Sequence, residues 1–264
     1  MVKRLATLLV GAAVAAGAAS GMALANSFVG TSGNDNLRGT GRPDQLFGED
    51  GNDRITGLRG NDYLEGGPGA DRLNAGPGAD LLIGGTGDDE LLGGSGGDVA
   101  YAGAGNDMLI GESGNDVLFG QAGDDRLFGG AGNDRLYTGT GVDFADGGDG
   151  NDWVSGDSAA RTEETSLNGG AGNDRIVATG PGSFTVGAGA GNDQVVTSSG
   201  ADHVTAGTGR DRIATRSGDD HIDSADGHRD VVNCGRGHDT VTADTLDKLR
   251  GCEDVVRVHL RVRH

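Results

Sequence analysis

Large apolar side chains are scarce in this chain, and so is lysine. Aromatic residues make up 4% of the 264 residues, and Lys occurs only at positions 3 and 248. Glycine accounts for 54 residues, and the formal net charge is −19. So few bulky residues exclude the thick core of an ordinary globular enzyme. A chain this acidic is also a poor partner for nucleic acid, so its expected partners are cations. Composition alone leaves a disordered acidic chain as an alternative.

Common catalytic and metal-binding motifs are also missing. The sequence has no His-Glu-x-x-His, no Gly-Lys-Ser/Thr phosphate loop, and no His at zinc-site spacing from a partner. A Gly-x-Ser-x-Gly match at residues 93–97 lies in a glycine-rich turn rather than between a strand and a helix. We interpret this match as a coincidence and predict that the protein is not an enzyme.

The one long apolar run lies at the N terminus. Lys3 and Arg4 precede an uncharged stretch over residues 5–19, and residues 23–25 read Ala-Leu-Ala, an A-x-A cleavage site. We predict a signal peptide over residues 1–25, cleaved after Ala25, and export by a Sec-type route. A membrane anchor is the alternative, but the strongly apolar part is shorter than the roughly 20 residues that a span needs. The mature chain would then have no membrane span and would be secreted, with the periplasm or cell surface as alternatives. Cleavage removes two bases and takes the net charge from −19 to −21.

A nine-residue period organises the part of the chain that follows. Asp recurs at every ninth position from Asp35 to Asp152, with an apolar residue two positions later. Gly stands two positions before each Asp in every unit except one, where Arg42 replaces it. The glycines supply turns with positive φ, and the three residues after each Asp predict a very short strand with one inward side chain. Stacked units can bury a core that one unit cannot, so the period favours a solenoid over disorder.

Two such units predict one coil of the solenoid, so residues 18 apart are expected to stack about 4.8 Å apart. The aspartates would then form two columns in which neighbouring carboxylates repel by roughly 3.5 kcal/mol at an effective dielectric of 20. A divalent cation between coils would remove this repulsion, and oxygen donors with flexible geometry favour Ca²⁺ over Mg²⁺. The alternative is that each Asp caps its turn and points into water.

The repeat also carries a family resemblance. Residues 66–73 and 129–136 match the pattern G-G-x-G-x-D-x-U, and the chain resembles the RTX (repeats-in-toxin), or haemolysin-type, calcium-binding proteins. The resemblance covers residues 30–155 closely and 169–242 loosely. It implies an all-β fold, a parallel β-roll or Ca-dependent β-solenoid, with several Ca²⁺ ions held between coils by motif Asp side chains and turn carbonyls. The predicted calcium ligands are Asp35, Asp44, Asp53, Asp62, Asp71, Asp80, Asp89, Asp98, Asp107, Asp116, Asp125, Asp134, Asp143, Asp152, Asp193, Asp202, Asp211 and Asp220.

Departures from the pattern set the predicted boundaries. The first four units have no Gly at the position four residues before the Asp, and we expect that end to fray or to bind calcium weakly. That position holds Thr31, Thr40, Glu49 and Leu58. We predict a regular β-roll over residues 26–157, an inserted loop over 158–168 and divergent repeats over 169–243. The loop is interpreted as a plain surface excursion, with a binding loop as the alternative. A one-residue slip before Asp230 puts calcium sites beyond it in doubt.

The last residues, 244–264, predict a C-terminal cap. Val256 and Val258 alternate with charged residues, as in a strand with one apolar face. A basic tail used for binding is the alternative. The two cysteines of an exported chain predict one disulfide, Cys234–Cys252, with two free thiols as the alternative.

Two functions follow from these features. The first is an exported calcium-binding repeat protein whose β-roll folds when Ca²⁺ binds. The second is a cell-surface or matrix adhesion protein, or a structural spacer, in which Ca²⁺ is only structural. The sequence identifies no protein or surface partner.

Overall fold

The computed structural model describes residues 26–158 and 164–259. Within these two ranges the chain forms strands and turns and no helix. No helix that could cross a membrane occurs in the part of the chain that is described. The predicted signal peptide, residues 1–25, lies outside the described residues, as do residues 159–163 of the predicted loop and residues 260–264 of the predicted cap.

Successive strands alternate between two parallel sheets, which we call sheet 1 and sheet 2. In spatial order, sheet 1 contains β1 (Asn26–Val29), β3 (Asp44–Phe47), β5 (Tyr63–Pro68), β7 (Leu81–Thr86), β9 (Val99–Ala104), β11 (Val117–Ala122), β13 (Arg135–Thr140), β15 (Trp153–Asp157), β17 (Arg175–Thr179), β19 (Gln194–Val196), β22 (Arg212–Ala214), β24 (Val231–Asn233) and β26 (Lys248–Arg250). Sheet 2 contains β2 (Asn36–Arg38), β4 (Arg54–Thr56), β6 (Arg72–Pro77), β8 (Glu90–Ser95), β10 (Met108–Ser113), β12 (Arg126–Ala131), β14 (Phe144–Asp149), β16 (Glu164–Ala171), β18 (Ser183–Gly191), β20 (His203–Thr205), β23 (His221–Asp223), β25 (Thr240–Asp244) and β27 (Asp254–Val258). The short strand β21 (Thr208–Gly209) pairs with β18.

The register follows the period of the sequence. Tyr63 pairs with Leu81 and Leu64 with Leu82, so residues 18 apart lie side by side on neighbouring parallel strands. Each coil therefore contributes one strand to each sheet, because it contains two nine-residue units. The prediction of an all-β parallel β-roll is confirmed, as a solenoid of about 13 turns.

The core lies between the sheets and is built from the apolar residue two positions after each Asp. Leu64, Leu82 and Leu118 are typical of this column, and each is at most 1% exposed. The strands are longer than the three residues predicted, since β5 and most later strands of the regular repeats span six. In β5 both Leu64 and Gly66 are buried, so the strand has two core-facing positions. Sequence analysis missed this second inward position because glycine gives no apolar signal.

The predicted loop over residues 158–168 is too long by several residues. Strand β16 begins at Glu164 and pairs with both β14 and β18. Thr165 and Leu167 are buried there, so the strand pattern resumes earlier than the aspartate pattern. The coil grows to 22 residues between Asp152 and Asp174, yet the two aspartates still lie next to each other.

The C-terminal segment continues both sheets. Strand β27 pairs with β25, and Val255, not Val256, aligns with the buried Val241. Val255 is 40% exposed and Val256 is 54% exposed, whereas Val258 is half-buried, so strand β27 does not bury the predicted apolar face as a whole. Cys234 and Cys252 are joined in a disulfide that links neighbouring coils, with Cα atoms 5.3 Å apart.

Candidate calcium sites

The motif aspartates lie at the turn before each strand, and they are buried. With the exception of half-buried Asp35, every predicted calcium ligand is at most 3% exposed. This burial is at odds with the alternative in which the carboxylates cap turns and point into water. Because an isolated buried carboxylate is costly, each one needs a partner, a proton or a cation.

From Asp53 onward, Oδ1 of each motif aspartate accepts a hydrogen bond from a backbone N–H of the preceding coil, which at Asp202 is that of Phe184. The backbone N–H of Asp116 donates to Oδ1 of Asp134 at 2.8 Å, and the N–H of Asp134 donates to Oδ1 of Asp152 at 2.8 Å. Each bond joins one coil to the next, so it sets the spacing of the carboxylates. The stacking of the predicted ligands in two columns thus has a direct hydrogen-bonded cause.

The column before the strands of sheet 1 is continuous along the solenoid. Of the predicted ligands, it holds Asp44, Asp62, Asp80, Asp98, Asp116, Asp134, Asp152, Asp193 and Asp211. The column before the strands of sheet 2 holds Asp35, Asp53, Asp71, Asp89, Asp107, Asp125, Asp143, Asp202 and Asp220. Thr165 and Phe184 interrupt this second column between Asp143 and Asp202.

The second carboxylate oxygen is the notable one. Oδ2 of Asp134 is buried and accepts no hydrogen bond. The same holds for Asp53, Asp62, Asp71, Asp80, Asp89, Asp98, Asp107, Asp116, Asp125, Asp152, Asp174, Asp193, Asp211, Asp230 and Asp239. An unsatisfied buried oxygen repeated along two columns is the signature that a cation-binding site would leave.

A backbone carbonyl of the next coil lies beside this oxygen. At Gly129, a Cβ atom would lie 2.5 Å from Oδ2 of Asp134 and 2.5 Å from the carbonyl oxygen of Gly147. The absence of a Cβ atom at Gly129 therefore lets oxygens from two coils come close to its backbone. Ca²⁺ takes carboxylate and carbonyl oxygens as ligands, so the donor type fits this ion.

Side chains alone do not complete these sites. Within residues 26–158 and 164–259, no group of three or more His, Cys, Asp or Glu side chains has the geometry of a metal site. Turn carbonyls would have to supply the remaining ligands, which agrees with the role that the resemblance implied for them. When bound, the ion would supply the positive charge that the buried carboxylates lack.

Burial also changes the acidity of the columns. Burial and, as a smaller cause, the charge of neighbouring aspartates raise the pKa of Asp116 and of Asp125 from a reference of 3.8 to about 7. Burial is the larger cause at both residues, and the backbone hydrogen bond from the preceding coil opposes it. Sequence analysis had placed the main cost in repulsion between carboxylates, whereas desolvation ranks first.

The N-terminal coil differs from the rest. Thr31 donates to Oδ2 of Asp35 from its backbone N–H, at 2.6 Å, and from its hydroxyl, at 2.9 Å. Thr40 makes the same two bonds to Asp44. These threonines lie four residues before their Asp, where most later units have glycine. They donate to Oδ2, the carboxylate oxygen that is left unpartnered in later coils. Asp35 and Asp44 are therefore the predicted ligands least suited to bind a cation.

Three further aspartates share the environment of the predicted ligands. Asp174 follows a regular Gly-rich turn but is not among the predicted ligands, and the one-residue slip puts Asp230 and Asp239 in doubt. The slip only lengthens the coil to 19 residues: the N–H of Asp211 still donates to Oδ1 of Asp230 at 2.8 Å. For Asp174, the sequence Gly-Asn-Asp was a sufficient signal.

Parallel coils with two rows of buried carboxylates and converging carbonyls define a β-roll that suits a hard cation. A family model of the RTX calcium-binding nonapeptide repeat matches residues 29–64, 65–100, 101–136, 128–161, 166–180, 187–222 and 196–229. Because these matches cover more than half of the chain, the protein belongs to the family of RTX calcium-binding repeat proteins. Such repeats are typically non-catalytic, and the proteins that carry them are typically secreted. No curated protein matches the chain.

Proposed function

We propose that this protein is an exported calcium-binding repeat protein whose β-roll folds when Ca²⁺ binds. The observation that carries the proposal is the repeated buried Oδ2 oxygen, which faces a carbonyl of the next coil and has no hydrogen-bond donor. Export is proposed from the N-terminal sequence and from the usual location of the family. We propose no catalytic activity.

Folding and calcium binding would be linked by mass action. Two ligands of each site come from different coils, so the unfolded chain has no preformed site. Binding free energy is then available only to the folded roll, and the folded fraction rises with the Ca²⁺ concentration. We place the midpoint at about 10⁻⁴–10⁻³ M, the range of extracellular calcium modules.

A calcium titration of the mature chain, followed by far-UV circular dichroism and calorimetry together, tests this proposal. We expect little β-structure in chelator at pH 7.5 and a cooperative gain of β-structure as Ca²⁺ is added. A chain that shows its full β-signal in chelator would contradict calcium-dependent folding.

A matched pair of variants makes the same test specific for the columns. Asp134→Asn should reduce the number of bound Ca²⁺ ions, because an amide carries no charge and is a weaker ligand. Asp35→Asn should change the number of bound ions less, since Thr31 already satisfies that carboxylate. Equal losses in the two variants would show that calcium binding does not depend on the unpartnered oxygen.

A structural spacer at the cell surface is the second candidate. Tyr101, Phe119 and Tyr137 stack in a column on the outer face of sheet 1, with ring centroids 4.7 and 4.9 Å apart. This half-buried aromatic column is a feature that calcium binding does not require. Recovery of the protein from the producing cell's surface, with and without chelator, would distinguish a surface spacer from a freely soluble binder.

A further inference from the structure

Two histidines lie side by side on the outer face of sheet 2. His203 on β20 pairs in register with His221 on β23. Their imidazole rings stack with centroids 4.8 Å apart and planes inclined by 13°. Both residues are exposed, so their ring nitrogens can be reached from solvent.

The coil brings this pair together. The two histidines are 18 residues apart in the sequence. Counted along the chain, this separation does not predict a metal site. In the solenoid, 18 residues are one coil, so the same separation makes the two side chains nearest neighbours. The absence of zinc-site spacing in the sequence therefore does not exclude a site made by two coils.

The surroundings of the pair are favourable to a cation. Thr185 and Thr240 occupy the flanking positions in the same row, on β18 and β25, so no Lys or Arg lies next to the rings in that row. Asp223 is two residues beyond His221 on the same exposed face and adds negative charge. The rigid pairing of β20 with β23 holds the two histidines on adjacent strands, so rotation about their side-chain bonds is enough to turn one nitrogen of each ring toward a shared ion.

We propose that His203 and His221 together bind a divalent transition-metal ion of the Zn²⁺, Cu²⁺ or Ni²⁺ class. Neutral imidazole nitrogens suit these ions, whereas Ca²⁺ prefers the oxygen ligands of the two aspartate columns. The chain thus carries two kinds of metal site that select different ions. No third side chain completes the site among the described residues, so water fills the remaining coordination positions.

A zinc titration by calorimetry tests the pair in the full mature chain, with Ca²⁺ present at saturating concentration. Calcium fills the oxygen sites, so the remaining zinc binding reports on nitrogen ligands. Changing even an outer-shell partner of a metal ligand costs about 10–100-fold in affinity, so His203→Gln and His221→Gln should each weaken binding by at least about tenfold. The double variant should lose the site.

His228→Gln is the matched control. Its ring is 55% exposed and lies 2.7 Å from a carboxylate oxygen of Asp226, so it is a histidine beside a negative charge but without a second imidazole. We expect this variant to bind zinc as the unchanged chain does. Zinc binding that survives the double variant, or that is lost in His228→Gln, would overturn the proposal.

Circular dichroism in Ca²⁺ shows whether each variant still folds, which separates a lost metal site from a lost β-roll. If a variant does not fold, proton NMR of the unchanged chain replaces it. On addition of zinc, the imidazole signals of His203 and His221 should shift before that of His228. A first shift at His228 would contradict the assignment.

Discussion

At the scale of single residues, the repeat tolerates residues other than glycine at the position four residues before the motif Asp, but each such residue has a conformational cost. Gly130 and Gly139 take φ angles of 108° and 97°, in a region that favours glycine. Glu49, Leu58, Glu112 and Gln121 occupy the equivalent position in other units and keep positive φ, between 74° and 90°. Stacking on neighbouring coils imposes this conformation, because a different φ would break the register.

Replacing Gln121 by Gly should therefore stabilise the calcium-loaded roll. Relief of a left-handed conformation is worth about 1–2 kcal/mol, and the greater freedom of glycine in the unfolded chain offsets part of it. We expect a net gain of about 0.5–1 kcal/mol in the free energy of unfolding, measured by urea denaturation in Ca²⁺. Thr40→Gly is the control, since Thr40 has no positive φ and its two bonds to Asp44 would be lost. A gain of similar size in the control would rule out the conformational explanation.

At the scale of an element, the turn between strands depends on close contact between coils. Gly132 has a φ of 144°, and a Cβ atom there would overlap the carbonyl oxygen of Gly114 in the preceding coil. Gly41 lies in a turn near the N-terminal end, has no positive φ, and would place its Cβ in open space. Close packing between coils therefore requires glycine at position 132 but not at position 41.

We expect Gly132→Ala to destabilise the loaded roll by more than about 2 kcal/mol, because strain and backbone overlap add. Gly41→Ala should change the free energy of unfolding by less than about 0.5 kcal/mol, as is usual for an exposed site. Thermal unfolding in saturating Ca²⁺ measures both. A small effect at Gly132 would show that the turns adapt and that close packing between coils is not needed.

At the scale of the whole molecule, the two columns couple stability to pH. Burial raises the pKa of Asp89, Asp116, Asp125 and Asp152 to about 7, and it is the first cause at each. The folded chain therefore binds protons more tightly than the unfolded chain, whose carboxyls titrate near 3.8. The stabilisation that this provides is complete below about pH 3.8 and is lost as the pH rises through about 7.

In chelator, acidification from pH 8 to pH 5 should thus increase the folded fraction, as measured by circular dichroism. In Ca²⁺ the same change should release bound ions, because protons compete for the carboxylates, and calorimetry at each pH would record the weaker binding. Loss of β-structure on mild acidification in chelator would contradict this account. It would indicate that other groups control the stability of the calcium-free chain.

Much of the fold could be predicted from the sequence, but the details of the candidate sites could not. Strict spacing of Asp and Leu was sufficient to predict a coil of 18 residues. The limits appeared where a residue has two possible roles: Gly66 is part of a strand as well as a turn residue. The predicted end of the inserted loop was wrong because Thr165 and Leu167 continue the strand without a motif aspartate.

The sequence by itself determined the period, the parallel register and the regular spacing of the aspartates, because every unit repeats the same pattern of residues and neighbouring coils must match. Only the tertiary structure decided which carboxylates keep an unpartnered oxygen, since that depends on what the adjacent coil places beside each Asp. It also decided that Asp230 stays in its column despite the slip, and that His203 and His221 meet. These outcomes depend on contacts between coils, and a spacing counted along one chain does not contain them.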